Sequence, residues 1–339
     1  MFCLRILFPW ELSCGGSVQH GLERYSAEMV DTLGVLSMKK IAPVAAMVAW
    51  TCWCQPHGSA QTAPGWASAT AHAEQKSPLA RIIVLDIATG KVLAASHLAN
   101  AAHTLAAPGS TLKPLVLYGL ISAGRWDPAR RIACTRNLHI AGRSLACSHP
   151  PSDPMDARQA LAWSCNTYFA AVGSSLAPGE LHRLLAPTGL LGQTGLAGDE
   201  AVAEFREAVG KDAASLALLG VDGIKVSPLE LAEAYRWLAL QLAAHPGSAA
   251  AEVVQAGLSD SVSFGIAASA SDGGVAVAGK TGTANLGAGT PSHGWFVGLA
   301  PASQPKVVLA VYLPAGHGAN AAAVVADLLS HSPLRQEKP

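Results

Sequence analysis

Apolar and polar positions follow a short, strand-like pattern near both ends of the chain. In residues 80–96, two apolar runs rich in β-branched residues flank the turn signal Ala88-Thr89-Gly90, which predicts a strand–turn–strand unit. Residues 274–284, 294–300 and 306–313 are again short apolar runs separated by Gly, Pro and polar residues, and they predict three more strands. Short turns between consecutive strands favour antiparallel pairing.

The middle of the chain follows a helical period instead. Residues 131–147 are the exception, because two short extended runs around Ala141-Gly142 predict a hairpin there. The clearest helix start has Ser227 as N-cap, Pro228 at the first helical position and Glu230 completing a capping box. The helical segments are residues 110–123, 155–173, 177–189, 227–243, 251–270 and 319–330.

The order of these elements predicts an α+β fold. The first two strands and the last three complete one antiparallel sheet of about five strands, flanked by helices. Between them lies an inserted, mostly helical subdomain. The pattern does not fit a repeating βαβ array.

Composition and charge narrow the class of protein. Of the 339 residues, 50% are hydrophobic and 14% charged, and the formal net charge is zero. Such a chain can bury a large core. Its charge does not support binding to nucleic acid through neutralised phosphates, so no nucleic-acid partner is expected.

The N-terminal segment predicts export. Met38 is followed by two lysines, an apolar run and the small residues that end at Ala60, which is the layout of a secretory signal peptide. We expect the signal over residues 38–60, with cleavage near Ala60 and a periplasmic or cell-envelope location. The apolar run is shorter than the roughly 20 residues that span a bilayer, although an uncleaved anchor stays the alternative.

The rest of the chain divides around this signal. Residues 1–37 show no pattern, and we expect a mis-called start with initiation at Met38. Residues 61–79 are predicted to be a disordered linker. Residues 80–332 are predicted to form the folded domain and residues 333–339 a tail.

Three cysteines follow the predicted signal, and an exported chain can carry disulfides. Cys134 and Cys147 bracket the predicted hairpin, so we expect a disulfide between them. A zinc site that uses His139 or His149 is the alternative. Because neither a Cys-x-x-Cys nor a His-x-x-x-His pair is present, the sequence predicts no metal.

Candidate chemistry begins at the stretch PGSTLKPL, residues 108–115. A helix that begins at Ser110 or Thr111 tolerates Pro114, because its missing N–H falls among the unpaired donors of the first turn. Lys113 then lies one turn from Ser110 on the same face. A lysine whose pKa is lowered by burial can take the proton of a serine nucleophile.

A second polar cluster interrupts a helical segment at WSCNTY, residues 163–168. Ser164 and Asn166 are two residues apart and cannot share one face of a continuous helix. Residues that favour helix caps indicate a break between two helices here. A loop at this break can direct both side chains into a cleft.

A third cluster, AGKTGT, lies in a predicted strand over residues 278–283. Gly282 weakens a strand unless another backbone approaches closely, and we expect that backbone to be a substrate peptide. Lys280 offers a cation, and Thr281 and Thr283 offer hydroxyls for a carboxylate.

Taken in order and spacing, the three clusters resemble the three motifs of the penicillin-binding protein transpeptidase domain. The resemblance extends over residues 80–329 and includes the flanking stretches VLDIATGKVLAA, VSPLELAEAY and HGWFVGLAP. It implies that Ser110 attacks a D-Ala-D-Ala carbonyl of a peptidoglycan stem peptide and that Lys113 accepts its proton. Backbone N–H groups of Ser110 and Thr283 would form the oxyanion hole. Ser164 would help protonate the departing D-alanine.

The resemblance also implies how a substrate is held. Asn166 would bind its amide, and Lys280, Thr281 and Thr283 would bind its carboxylate beside Gly282. β-Lactams would act as inhibitors by acylating the serine, and no metal or cofactor takes part. A partner protein of the cell-wall machinery is expected to hold such a domain at the wall.

Three other activities stay open at this point. A D,D-carboxypeptidase or a β-lactamase would use water as the acyl acceptor, whereas a transpeptidase uses an amine. A non-catalytic β-lactam sensor is the third alternative, although the sequence has no transmembrane signalling segments and lacks none of the motif residues. Transpeptidase activity is the prediction.

Overall fold

The structure is a computed structural model that describes residues 65–150, 152–285 and 291–335. The predicted signal peptide and the predicted mis-called start lie outside the described residues. No helix in the described part of the chain is long and apolar enough to cross a membrane.

A five-stranded antiparallel sheet forms the centre of the fold, as the sequence predicts. Its strands are β1 (Arg81–Asp86), β2 (Val92–Ser96), β7 (Ala278–Asn285), β8 (Ser292–Ala300) and β9 (Val307–Leu313), in the order β2-β1-β9-β8-β7. Two small hairpins stand apart from it, β3 (Asn137–Ile140) with β4 (Arg143–Ala146) and β5 (Glu204–Phe205) with β6 (Ile224–Lys225). The first and last segments of the chain therefore share one sheet, and β7 lies at its edge.

Helices fill the sequence between these strands and cover the sheet. They are α1 (Trp66–Lys76), α2 (Leu98–His103), α3 (Lys113–Ser122), α4 (Ala157–Ala162), α5 (Asn166–Ser174), α6 (Glu180–Leu185), α7 (Lys211–Leu218), α8 (Pro228–Ala244), α9 (Ala249–Ser263) and α10 (Gly318–Ser330). Helix α8 begins with the predicted capping box, in which the Ser227 side chain accepts from the Glu230 N–H and the Glu230 side chain accepts from the Ser227 N–H.

The sheet separates two apolar cores. On β1, Ile83 and Leu85 face the larger core, which includes residues of α3, α8 and α9. Their neighbours Ile82 and Val84 face the second core, with α1 and α10. Because both faces are covered, β1 is apolar without a break over residues 82–85 and does not alternate.

The predicted linker contains a helix. Residues 61–79 are expected to be disordered, but Trp66–Lys76 forms α1. Trp66, Ala69 and Ala73 are buried in the second core, and Lys76 pairs with Asp327 of α10. The alanines of α1 favour a helix, but a helix of 11 residues is marginal in isolation, so burial against the sheet stabilises α1. Part of the predicted tail is also ordered, because Pro333–Arg335 forms a short helical turn.

Candidate active site

Ser110 lies in a tight turn that leads directly into a helix. Gly109–Leu112 forms a single 3₁₀ turn, and α3 begins at Lys113. Pro114 falls in the first turn of α3, where its missing N–H costs no intrahelical hydrogen bond. The sequence-based explanation of this proline therefore agrees with the structure.

Buried polar side chains from two distant elements hold this turn. The Tyr235 hydroxyl of α8 donates to the Thr111 carbonyl at 2.9 Å. From β8, Trp295 Nε1 donates to the Ala107 carbonyl at 3.0 Å, and His293 Nε2 lies 2.8 Å from the same oxygen. His293 therefore carries its proton on Nε2, and its burial lowers its pKa. Tyr235 and Trp295 were not predicted from the sequence. The spacing of His293 and Trp295, two apart on one strand face, is a local signal for this pair.

The motif strand β7 packs directly against the serine turn. A Cβ atom built on Gly282 would lie 2.4 Å from the Pro108 carbonyl oxygen, and one built on Gly109 would lie 2.9 Å from the Thr283 backbone nitrogen. Gly109 also has a φ of +56°, which favours glycine. From the sequence, a substrate peptide is expected at the close approach to Gly282. The structure assigns this approach to the chain's own turn.

Lys113 links the first motif to the second. Its Nζ donates to the Ser164 carbonyl at 2.9 Å, the Ser164 hydroxyl at 3.1 Å and Asn166 Oδ1 at 2.9 Å. The side chain is fully buried, and desolvation lowers the pKa of Lys113 to about 8. Such a lysine is partly neutral near physiological pH and can then accept a proton.

Lys280, from the third motif, is the second buried lysine of the site. Its Nζ donates to the Thr281 carbonyl at 3.1 Å. Desolvation lowers the pKa of Lys280 well below its usual value, and the nearby charge of Lys113 lowers it further. Two cations that oppose each other in a buried site favour a neutral form for at least one of them.

The second motif is a break between two helices, as predicted. Helix α4 ends at Ala162, and α5 begins at Asn166 with Cys165 as its N-cap. Ser164 has a φ of +56°, which is unusual for a residue other than glycine. This backbone conformation brings both the carbonyl and the hydroxyl of Ser164 to Lys113, which an uninterrupted helix cannot do.

The three motifs meet in one cleft with a volume of about 1630 Å³. Ser110, Ser164, Asn166, Thr281 and Thr283 all line it. Its other wall consists of the two small hairpins, with residues 142–148 of one and residues 204–206 and 221–225 of the other. The Thr283 hydroxyl also accepts from the Gly318 N–H at 2.9 Å, so the N-terminus of α10 adjoins the cleft.

The predicted disulfide is not present. Cys134 and Cys147 lie at the two ends of the hairpin, as expected, but all three cysteines among the described residues are free. The sulfur atoms of Cys134 and Cys147 are 3.5 Å apart, whereas a disulfide bond is about 2.05 Å long. Cys165 and His149 lie close to the same two sulfur atoms, so the four residues form one cluster.

Several solved structures share this fold. The transpeptidase domain of penicillin-binding protein 3 from Burkholderia pseudomallei is 22% identical, with a TM-score of 0.68, and the match covers 79% of this chain and 92% of that one. Penicillin-binding protein 2 from Pseudomonas aeruginosa, solved with the compound WCK 5153, is 20% identical, with a TM-score of 0.64 and coverage of 78% and 75%. The transpeptidase domain of a peptidoglycan glycosyltransferase from Eggerthella lenta is 20% identical, with a TM-score of 0.64 and coverage of 80% and 81%. At these identities the likeness shows the fold.

The family assignment comes from a sequence model. No curated protein matches the chain significantly. The model of the penicillin binding protein transpeptidase domain, however, matches residues 80–330, which contain every motif residue described above. The chain therefore belongs to the family of penicillin-binding protein transpeptidase domains.

Proposed function

We propose that this protein is a peptidoglycan D,D-transpeptidase-like acyltransferase in which Ser110 forms an acyl-enzyme with D-Ala-D-Ala stem peptides. The single observation that carries the proposal is the position of Lys113. Its amine contacts Ser164 and Asn166 in a water-poor site, directly behind a cleft that Ser110 and Thr283 line. A buried amine one turn from a serine is a suitable general base.

Acylation starts with the neutral form of Lys113. The Ser110 oxygen attacks the carbonyl carbon between the two D-alanines, and the Ser110 proton passes to the Lys113 amine. The bond between that carbon and the amide nitrogen then breaks, and the departing D-alanine takes a proton. The Ser164 hydroxyl contacts Lys113 and can both donate and accept, so it can carry that proton from Lys113 to the leaving group.

The developing negative charge needs donors that are fixed in advance. Gly109 packs against the Thr283 backbone, so the segments that carry Ser110 and Thr283 are in contact beside the cleft. We assign the oxyanion hole to the N–H groups of Ser110 and Thr283, each typically worth roughly 3 kcal/mol of barrier. Because β7 is an edge strand, a substrate peptide can pair along it.

The polar groups around the edge strand suit a substrate that ends in a carboxylate. Thr281 and Thr283 line the cleft, and the Lys280 amine contacts the Thr281 carbonyl. The N-terminus of α10 adds a favourable dipole. Asn166 lines the cleft and accepts from Lys113, and we assign it to the stem-peptide amide.

Acylation is tested by mass spectrometry of the intact chain after incubation with benzylpenicillin. We expect one covalent adduct in the wild-type chain and none in Ser110→Ala. Ser144→Ala is the matched control, because Ser144 is exposed and lines the same cleft, and it should keep the adduct. A wild-type chain that takes up no adduct while folded would contradict the proposal.

The fate of the acyl group separates the related activities. With stem peptides and an amine acceptor, a transpeptidase gives cross-linked dimers, and a carboxypeptidase gives free D-alanine and shortened monomers. Turnover of nitrocefin would identify a β-lactamase. We expect dimers among the muropeptides, and their absence when D-alanine is released would replace transpeptidase by carboxypeptidase.

We further propose that the chain is exported through the signal at residues 38–60 and acts in the cell envelope with a cell-wall partner protein. The support is the layout of that segment and the extracytoplasmic location of peptidoglycan cross-links. N-terminal sequencing of the protein from the envelope fraction should find a start near Gln61. A start at Met1 or Met38 would contradict cleavage.

A further inference from the structure

A second cluster of reactive side chains lies behind the Ser164 turn and has no part in acylation. It consists of Cys134, Cys147, His149 and Cys165, whose three sulfurs and one imidazole nitrogen all lie within 4.8 Å of one another. Cys165 and His149 have almost no exposed surface, and Cys147 is 7% exposed. Buried polar groups of this kind need partners.

From this arrangement we propose that the protein binds one zinc ion as a Cys₃His site, and that this ion fixes the β3–β4 hairpin to the start of α5. Three thiolates and one imidazole form a set typical of structural zinc, which is four-coordinate and tetrahedral. The inference concerns side chains that take no part in the proposed acyltransferase reaction, and it stands whether or not that reaction occurs.

The distances between the donor atoms fit one coordination sphere. With zinc–sulfur bonds of about 2.3 Å and a zinc–nitrogen bond of about 2.0 Å, the edges of a tetrahedron are about 3.5–3.8 Å. Cys134 Sγ lies 3.5 Å from Cys147 Sγ and 3.3 Å from His149 Nε2. All the donor atoms lie within 4.8 Å of one another, so small shifts of the side chains admit the ion at the centre.

The surrounding hydrogen bonds are those of a metal site. His149 Nδ1 lies 2.7 Å from the Pro150 carbonyl, so Nδ1 carries the proton and the Nε2 lone pair faces the sulfurs. The Asn166 N–H donates to Cys147 Sγ at 3.1 Å, and the Arg136 N–H donates to Cys134 Sγ at 3.4 Å. Outer groups of this kind orient metal ligands and satisfy thiolate charge.

A disulfide explains the cluster less well. A Cys134–Cys147 bond would use two of the three thiols and leave Cys165 and His149 buried against it without a role. Zinc, by contrast, uses all four donor atoms. The spacing that signals the site in the sequence is Cys147-x-His149, with single cysteines on either side, and it differs from the Cys-x-x-Cys pair of common zinc motifs.

The hairpin itself explains why an ion is useful here. Most residues of β3 and β4 are exposed or half-buried. Ile140, Leu138 and Leu145 pack against the larger core, but a two-stranded hairpin is marginally stable by itself. Yet residues 142–148 form one wall of the cleft. Zinc would join Cys134 and Cys147, at the hairpin's base, to Cys165, which lies between Ser164 and Asn166. The zinc ligands would then hold Ser164 and Asn166 of the second motif in position.

The first test measures zinc in the purified full chain. Inductively coupled plasma mass spectrometry should find one equivalent of zinc more in the wild-type chain than in His149→Gln or Cys134→Ser. His139→Gln is the matched control, because His139 is exposed on the same hairpin, and it should keep the ion. The comparison among variants also removes any contribution from Cys3, Cys14, Cys52 and Cys54, which lie outside the described residues.

The second test uses Co²⁺ as a probe. It uses only the wild-type chain, so its result does not depend on whether a variant folds. Wild-type chain stripped by a chelator and titrated with Co²⁺ should develop a thiolate-to-cobalt charge-transfer band and the strong visible bands of tetrahedral cobalt. Zinc should displace them at one equivalent. Chelation should also lower the midpoint of thermal unfolding by about 5 °C or more and slow penicillin acylation, both reversed by zinc.

Three results would each overturn the proposal. They are equal zinc content in the wild-type chain and both ligand variants, no tetrahedral cobalt spectrum in the reduced chain, and a Cys134–Cys147 disulfide in peptide maps of the protein as isolated. None of these readouts depends on acylation, so their failure is distinct from failure of the acyltransferase reaction.

Discussion

At the scale of single residues, the chemistry depends on two lysines held without a carboxylate partner. No described salt bridge includes Lys113 or Lys280, and both side chains are fully buried. Desolvation therefore dominates the pKa of each lysine. Lys113 keeps its position through Ser164 and Asn166 oxygens, which orient the amine without adding a full negative charge.

This environment predicts how acylation depends on pH. With the pKa of Lys113 at about 8, the amine is protonated below that pH and cannot accept the Ser110 proton. The acylation rate constant with benzylpenicillin should therefore rise with pH through about 8 and then level off. Stopped-flow or quench mass spectrometry from about pH 6 to about pH 10 measures the profile.

The substitution Lys113→Arg tests whether Lys113 is the base. A guanidinium stays protonated throughout this range, so acylation should fall by at least about 100-fold. Lys91→Arg is the control on an exposed lysine and should leave the rate unchanged. A profile that is flat with pH, or an arginine variant that acylates at the wild-type rate, would exclude Lys113 as the base.

At the scale of elements, the serine turn is held from outside its own sequence. Helix α8 reaches it through Tyr235, and β8 reaches it through His293 and Trp295. Strand β7 packs against the serine turn from the cleft side, where Gly282 lies against the Pro108 carbonyl. The nucleophile is thus fixed by a helix and two strands that lie more than 100 residues away along the chain.

Tyr235→Phe tests this support. The substitution keeps the ring but leaves the Thr111 carbonyl without its buried donor, which should cost about 1–3 kcal/mol of unfolding free energy. Acylation should also slow, because the turn that carries Ser110 loses one of its supports. Denaturant unfolding and penicillin labelling measure the two effects.

The control for this variant is Tyr118→Phe. Tyr118 is buried on α3 and packs edge-on against Trp237, but the described residues give its hydroxyl no hydrogen-bond partner. Its loss should change stability by much less. Equal effects of the two substitutions would mean that the Tyr235 hydroxyl contributes no specific support.

At the scale of the whole molecule, the sheet needs cover on both faces. Helices of the inserted region cover one face, and α1 and α10, from opposite ends of the chain, cover the other. Helix α1 precedes residues 80–330, the range that matches the family. It nevertheless contributes Trp66 to the second core, so the folding unit extends beyond the family match.

Trp66→Ala measures the contribution of α1. Trp66 is 5% exposed, and removing a buried tryptophan side chain typically costs about 3–5 kcal/mol. The midpoint of thermal unfolding should therefore fall by at least several degrees. Leu79→Ala is the control, because Leu79 is 64% exposed and should change little. Unchanged stability in Trp66→Ala would show that α1 is dispensable.

Many of the structural elements of this protein can be predicted from local sequence. The five strands, the capping box of α8, the hairpin turn at Ala141-Gly142 and the break at Ser164 all have signals within a few residues of themselves. Local signals suffice there because turn chemistry, capping and apolar runs act over short distances. The three motifs were found in the same way, through residue types in a fixed order.

Other features were decided by tertiary contacts between distant segments. Helix α1 is too short to be stable in isolation and is stable because it is buried. Gly282 is needed because Pro108, far away in the sequence, packs against it. The cysteines predicted to form a disulfide instead meet His149 and Cys165. The sequence determines which chemical groups the chain has. Which of them are buried, and which four donor atoms come together, depends on how all the other elements pack.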